Sequence, residues 1–308
     1  MKTIQVLMST YNGEKYLREQ IDSILMQDCE KKGVAKLRLL IRDDGSKDST
    51  REILAEYASR YPGQVSWYQG ENKGVIQSFF DLIKKSDDGI DYYALADQDD
   101  YWLENKLRVG MEALEALPAG KKPYLYCCKT KPVDEELREL KSQIKRPPMR
   151  PGFANALVEN IVPGCTTVMN SALRNMVKKN SPKYTVMHDW WLYLVASCFG
   201  RVVYDEDSYI CYRQHGGNQV GSNVSKWREL MDRVQRFQGN RRNISHQLEE
   251  FLRIYGGYKS SRIALAQELL ASRKSFPKRW KLVHSGIIYR QRKNDNRIFK
   301  IILLWGSF

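Results

Sequence analysis

The sequence predicts an α/β fold: a mostly parallel sheet flanked by helices, with a basic helical extension at the C-terminal end. Three observations predict it. Short apolar runs alternate with stretches of helical period between residues 3 and 96. Polar clusters follow the ends of those runs. Beyond residue 225 the pattern turns helical, basic and aromatic.

Residues 3–8 form the first apolar run, closed by Ser9-Thr10-Tyr11-Asn12-Gly13. Tyr16, Leu17, Ile21, Ile24 and Leu25 then recur at helical spacing. A second strand over 37–41 stops at Asp43-Asp44-Gly45-Ser46, and Ile53, Leu54 and Tyr57 mark the next helix. A third strand is expected at 66–68. The turn Asn72-Lys73-Gly74 follows, then a helix carrying Phe79, Phe80, Leu82 and Ile83. A fourth strand over 92–96 ends at Asp97-Gln98-Asp99-Asp100. Further strands are expected at 124–128, at 161–169 with an interruption by Pro163-Gly164, at 201–204 and at 209–212. A helix covers 189–199, a charged surface segment 134–148, and a glycine-rich loop 214–222. In a parallel sheet, ligands bind at the carboxyl ends of the strands, where three of the polar clusters fall.

Composition sets the limits. The chain has 308 residues, 42% of them hydrophobic, enough for a sizeable core and against general disorder. Six cysteines at positions 29, 127, 128, 165, 198 and 211 form no CxxC pair, so reduced thiols are expected rather than a zinc or disulfide framework. Residues 1–8 read as a strand, not a signal peptide, and no apolar run approaches the roughly 20 residues that span a bilayer. The net charge of +14 is unevenly spread. Residues 225–308 hold 19 Lys and Arg against 6 Asp and Glu, which leaves residues 1–224 nearly balanced. Two parts are expected: 1–224, catalytic, and 225–308, a helical extension that contacts a membrane surface or another copy of the chain.

Carboxylates carry the chemistry. Asp97, Asp99 and Asp100 crowd one strand end and repel one another unless a cation sits among them. Hard divalent cations take oxygen ligands and bridge carboxylates to phosphates. Asp43 or Asp44 is placed to accept a hydrogen bond from a nucleobase or ribose, while Ser46 or Asp48 caps the helix that follows. Asp189 falls at a helix start, which favours negative charge, in a partly apolar setting of Val186, Met187, Trp190 and Trp191. Such a carboxylate can serve as a general base. In Tyr212-Arg213-Gln214-His215-Gly216-Gly217-Asn218, His215 could complete a metal sphere or contact a diphosphate, and Arg213 could neutralise one. Cys165 has no base nearby in sequence and reads as a core thiol.

These motifs, with Ala96-Asp97-Gln98-Asp99-Asp100-Tyr101-Trp102 and His188-Asp189-Trp190-Trp191, together resemble family 2 glycosyltransferases, and among them bacterial rhamnosyltransferases of cell-wall and surface polysaccharide synthesis. The resemblance covers roughly residues 1–222. It implies a GT-A, Rossmann-like fold and transfer with inversion at the anomeric carbon. It places Thr10, Tyr11 and Asp43 or Asp44 at the base, and Asn72 and Lys73 near the nucleoside. Gln98 belongs to the same nucleotide-sugar site with Asn12 and Arg213. Asp97 would bind ribose or assist the metal, Asp99 and His215 would hold Mn2+ or Mg2+, and Asp189 would be the base. The donor implied is dTDP-rhamnose and the acceptor a polyprenol-linked saccharide, with UDP-hexose or UDP-HexNAc as alternative donors.

Trp280, Trp305 and neighbouring aromatics interleaved with Lys and Arg suit a bilayer interface, so a peripheral position on the cytoplasmic face of the cell membrane is expected; a homo-oligomer contact is the other reading. A nucleotidyltransferase would carry a glycine-rich basic loop after the first strand, where this chain has Ser9-Thr10-Tyr11-Asn12-Gly13-Glu14. No nucleic-acid recognition motif is present, and no nucleic-acid partner is expected.

Overall fold

A computed structural model describes residues 1–140, 147–215, 242–306 and 308. The strands are β1 (Lys2–Thr10), β2 (Ala35–Asp43), β3 (Val65–Gln69), β4 (Tyr92–Ala96), β5 (Tyr101–Trp102), β6 (Tyr124–Cys128), β7 (Lys131–Val133), β8 (Val168–Asn170), β9 (Arg201–Asp205) and β10 (Ile210–Arg213). Between them lie α1 (Leu17–Leu25), α2 (Thr50–Arg60), α3 (Gly74–Lys85), α4 (Lys106–Glu115), α5 (Phe153–Ala156), a 3₁₀ turn (Gly164–Thr166), α6 (Ser171–Lys179) and α7 (His188–Phe199). The C-terminal helices are α8 (Asn243–Tyr255), α9 (Ser261–Ser272), α10 (Phe276–Ser285) and α11 (Lys293–Trp305).

Seven strands form the main sheet in the order β3-β2-β1-β4-β8-β6-β9. All neighbours run parallel except at β8, which is antiparallel to both β4 and β6. The expected strand over 161–169 is therefore a 3₁₀ turn and a three-residue strand, because Pro163 denies the ladder a donor.

Side chains alternate across the sheet as period 2 requires. On β1, Ile4, Val6 and Met8 enter the core beneath α1, α2 and α4, while Leu7 enters the opposite core with Phe79, Leu95 and Trp191. Gln5 also points inward and is satisfied by the Asp87 backbone N–H (2.9 Å) and by its own donation to the Asp87 carboxylate (3.1 Å).

Register places the polar clusters side by side. Thr10 pairs with Asp43, and Asp43 with Gln69. Met8 pairs with Ala96, so Asp97 starts the segment just beyond the β1–β4 ladder. A second sheet, β5-β10-β7, folds under the acidic turn, with Ile210 opposite Trp102 and Cys211 opposite Tyr101. This pairing carries residues 213–215 back to Asp99 and Asp100.

Helix α7 is buried from His188 through Cys198. A helix apolar on all sides needs neighbours on all sides, and α8 supplies one: Trp191 meets Phe251 edge to face at 5.9 Å, and Phe199 lies 5.2 Å from Tyr255. Ile263, Ala266 and Leu269 of α9 and Phe299 and Leu303 of α11 join the same core. The C-terminal helices thus share an apolar core with α7. The 224/225 boundary itself lies outside the described residues, as do Gly216, Gly217 and Asn218 of the expected glycine-rich loop and Trp227 and Phe237 of the basic segment. No described helix is long and apolar enough to cross a membrane.

Candidate active site

The loops after β1, β2 and β4 are stitched together by backbone amides. Gln98 donates to the Tyr11 carbonyl (3.1 Å) and accepts from the Tyr11 N–H (2.8 Å), a two-point clasp between the acidic turn and the β1 loop. A Cβ on Gly13 would lie 2.4 Å from the Gln98 side-chain oxygen, so the clasp requires glycine there. Asn12, at φ +47°, accepts from the Lys47 N–H (2.9 Å) and donates its own N–H to Ser46 Oγ (2.9 Å). Asp48 accepts from the Glu14 N–H (3.1 Å) and the Thr50 N–H (3.1 Å), which ties the start of α2 to the β1 loop.

Asp43 and Asp44 are both buried. Asp43 accepts from the N–H groups of Gly45 (3.2 Å) and Ser46 (3.0 Å) and from the Ser46 hydroxyl, closing its own turn. Thr10 lies 3.4 Å from the same carboxylate. Asp44 pairs with the buried Arg42 guanidinium and accepts from the Lys73 (3.0 Å) and Gly74 (2.9 Å) N–H groups at the start of α3. Asn72 and the Lys73 side chain are exposed on that turn, and Tyr11 is 45% exposed. The open surface here belongs to Tyr11, Asn72 and Lys73, while the carboxylates shape the loops beneath it.

The acidic turn is divided by direction. Asp97 and Asp99 are partly exposed and Asp100 is buried. Burial, with the charges of Asp99 and Asp189 beside it, lifts the Asp97 carboxyl to about 7. Asp99 Oδ2 lies 2.8 Å from His215 Nε2. Asp100 accepts from the Arg213 N–H (3.2 Å), its other oxygen has no hydrogen-bond partner among the described residues, and burial and its two acidic neighbours raise it far above the carboxylate range. Asp97, Asp100 and Cys165 bring one ligand atom each to within 4.8 Å of one another. The Cys165 thiol is pushed far up by burial and stays protonated. The donors that suit a hard cation are therefore the carboxylates and His215, as in the oxygen-rich sites of Mn2+ and Mg2+. Crowded acids, one with an orphaned oxygen, fit such an ion.

Arg213 lies under the turn, 1% exposed. Its guanidinium donates to the Asp99 carbonyl (2.9 Å), the Glu135 carbonyl and the Glu19 carboxylate, and stacks 4.5 Å from the Tyr16 ring. Arg213 so braces the acidic turn from below, its side chain turned inward by the β5–β10 pairing. Lys106, at the start of α4, is also fully buried, 3.4 Å from the Trp102 ring, and desolvation lowers it to about 8.

Asp189 sits in the first turn of α7, 6% exposed. It accepts from the N–H groups of Trp190 (2.6 Å) and Gly164 (3.0 Å) and from the Asn160 side-chain amide (3.0 Å). Burial raises its carboxyl to about 6 against the pull of those donors. Its bond to Gly164 sets it next to Cys165, whose Sγ lies within 4.8 Å of carboxylate oxygens of Asp97 and Asp100, and so beside the acidic turn. His188, the residue before Asp189, also borders Gly164, where an added Cβ would lie 2.8 Å from its Nε2. Its ring stacks on Phe79 (centroids 4.1 Å), both ring nitrogens lack hydrogen-bond partners among the described residues, and burial lowers it to about 3, so the imidazole is neutral. Asn160, which bonds Asp189, and the buried Lys106 were not assigned from sequence, whereas Asp100 belongs to the acidic cluster read there and Gly164 to the segment 163–167 expected to line the donor-sugar or acceptor side. Gly164 carried a signal, the Pro-Gly break before β8; Asn160 carried none.

A parallel sheet whose strand-end loops hold a DxD-type acidic turn, faced by a buried carboxylate at a helix start, is the architecture of GT-A glycosyltransferases. The family model "Glycosyl transferase family 2" matches residues 5–179. The chain belongs to glycosyltransferase family 2. It is 31% identical over 228 residues to the dTDP-rhamnosyl transferase RfbG of Shigella flexneri, covering 71% of this chain and 75% of that protein. An uncharacterized glycosyltransferase of Rickettsia typhi is 23% identical over 283 residues, 85% of this chain and 84% of its own. Among solved structures, S. aureus TarS 1-349 in complex with UDP superposes with a TM-score of 0.55 at 18% identity, over 89% of this chain and 71% of that one. The mannosyltransferase PcManGT of Pyrobaculum calidifontis, in complex with GDP-Man and Mn2+, gives 0.54 at 14% identity, over 99% and 85%. These two likenesses bear on the fold.

Proposed function

We propose that this glycosyltransferase moves L-rhamnose from dTDP-rhamnose, with inversion, to a polyprenol-linked saccharide at the cytoplasmic face of the membrane, in cell-wall or surface polysaccharide synthesis. The observation that carries the transfer chemistry is Asp189: a carboxylate buried at a helix start, within the field of the acidic turn and ionisable near neutral pH. The identity to a dTDP-rhamnosyl transferase supports the donor.

Inverting transfer is one in-line displacement. An acceptor hydroxyl oxygen attacks the anomeric carbon, the bond from that carbon to the diphosphate oxygen breaks, and its electron pair leaves with the nucleoside diphosphate. Asp189 takes the hydroxyl proton as the new bond forms. The N–H groups of Gly164 and Trp190 and the amide of Asn160 fix its direction before the acceptor arrives. The burial of Asp189 limits water beside it, which would hydrolyse the donor. Tyr11, Asn72 and Lys73 line the nucleoside side, with Thr10, Asn12, Asp43, Asp44 and Gln98 holding those loops in place. Asp99, with His215 beside it and Asp97 close by, would hold Mn2+ or Mg2+. When bound, such an ion supplies positive charge to the diphosphate.

The test is release of nucleoside diphosphate from a panel of dTDP-, UDP- and GDP-sugars, with and without Mn2+ or Mg2+. dTDP-rhamnose is expected to be turned over, with loss of activity when the metal is chelated. Preference for UDP-HexNAc or a UDP-hexose would replace the donor assignment. Asp189→Asn is expected to retain donor binding and lose at least about a hundredfold in transfer; parental turnover in that variant would remove Asp189 as the base.

A further inference from the structure

Resting on the proposal of an acceptor at the membrane, we infer that the α10–α11 hairpin is the membrane-docking element, seated on an anionic bilayer surface, and that α8 and α9 are not. The two halves of the C-terminal helical region differ in kind. α8 and α9 turn Leu248, Phe251, Tyr255, Ile263 and Leu269 into the core that they share with α7. Six of the exposed large hydrophobics lie instead on α10, α11 and their connection: Phe276, Trp280, Ile287, Ile298, Ile301 and Trp305. Trp305 is 81% exposed and Ile301 58%.

Spacing gathers these residues into stripes. Phe276, Trp280 and His284 repeat every four residues along α10, with ring centroids 6.3 Å and then 3.9 Å apart. Ile298, Ile301 and Trp305 repeat at three and four along α11, while Phe299 and Leu303 anchor that helix in the core. Arg279 donates to the Arg273 carbonyl (2.8 Å), and a Cβ on Gly306 would lie 3.0 Å from the Arg279 guanidinium. The end of α11 therefore stands beside the start of α10, which brings Trp305 to the end of the hairpin that carries Phe276 and Trp280.

Charge selects the occupant. Residues 273–308 contain ten Lys and Arg and one acid, Asp295. A second copy docked on the same face would set two such surfaces against each other. Duplex nucleic acid would satisfy the cations but leave Ile298, Ile301 and Trp305 in water. Anionic headgroups over acyl chains satisfy both: cations meet phosphates while Trp, Phe and Ile enter the boundary region.

Flotation of the full-length protein with phosphatidylcholine vesicles and with mixed phosphatidylcholine–phosphatidylglycerol vesicles tests this. The parent chain is expected to float with the mixed vesicles, less at high salt, and not with phosphatidylcholine alone. The Trp280→Ser, Ile301→Ser, Trp305→Ser triple variant is expected to lose about tenfold or more of the bound fraction and to keep the parental melting temperature and nucleoside diphosphate release. Lys278→Glu with Arg297→Glu should weaken binding to the anionic vesicles while leaving the apolar stripe intact, and serves as the second readout if the triple variant misfolds. The inference falls if the parent does not float with the anionic vesicles, if both variants float as the parent does, or if the triple variant instead converts a dimer to a monomer in sedimentation or abolishes duplex DNA binding. Donor turnover without vesicles reports on the transferase reading alone, so a parent that releases nucleoside diphosphate but does not float fails only this inference.

Discussion

Asp189 combines two opposed demands. A base must be ionised to accept a proton, yet basic enough to hold it. Burial raises its carboxyl to about 6, while three N–H donors favour the charged form. In the role proposed for Asp189 only the ionised form accepts the proton, so kcat should be level at neutral pH and fall as pH drops through about 6, measured with saturating donor and acceptor; a profile flat to pH 5 would show that Asp189 does not govern the rate. Gly164 is fitted just as closely. A Cβ there would lie 2.8 Å from His188 Nε2 and 3.5 Å from Asp189, so in Gly164→Ala either the His188 ring or the backbone that donates to Asp189 must shift. A misplacement of that kind can cost about a hundredfold. The expected outcome is a lower kcat with donor KM little changed, checked by steady-state kinetics beside a thermal melt.

At the scale of elements, β2 and α3 are joined by a buried ion pair. Arg42, 1% exposed, pairs with Asp44 and Asp81 and donates to the Glu71 carbonyl (2.8 Å). A Cβ on Gly70 would lie 2.4 Å from the guanidinium, so the connection after β3 is shaped around it. Removing one partner strands the other's charge away from water. Arg42→Met should cost about 3–5 kcal/mol, read as a lower urea midpoint, and should weaken nucleotide binding because the Asn72–Lys73 turn is held through Asp44. A variant with parental stability would mean that Asp44 is satisfied by the Lys73 and Gly74 N–H groups alone.

On the scale of the whole molecule, the C-terminal helices stabilise the catalytic body as well as carrying the exposed basic hairpin. Trp191 and Phe199 pack on Phe251 and Tyr255 of α8 and would lose that cover without it, and exposing each such side chain forfeits about 1.5–3 kcal/mol. Deleting residues 243–308 should therefore give an aggregating chain without a cooperative melt; a soluble, cooperatively folding, donor-hydrolysing fragment of residues 1–242 would show the two parts to be independent.

Local signals in the sequence reached far into this fold. The short apolar runs and the helical repeats between them announce β1 through β4 and α1 through α3. Parallel topology then puts Thr10, Asp43 and Asp97 at one edge, since strands that run the same way end on the same side. The buried Trp-Trp run after Asp189 marks α7 for the same reason: apolar residues on every face need partners on every face. Direction and depth were decided only by tertiary contact. Arg213 has the chemistry of a phosphate ligand, but β10 pairs with β5 and turns it under the acidic turn. Asp43 and Asp44 have the chemistry of base contacts, but the N–H groups of their own turn and of α3 claim their oxygens. Residues 225–308 read as one basic stretch because charge shows in composition, whereas which of their helices fill the groove beside α7 depends on a surface assembled from residues more than forty positions away.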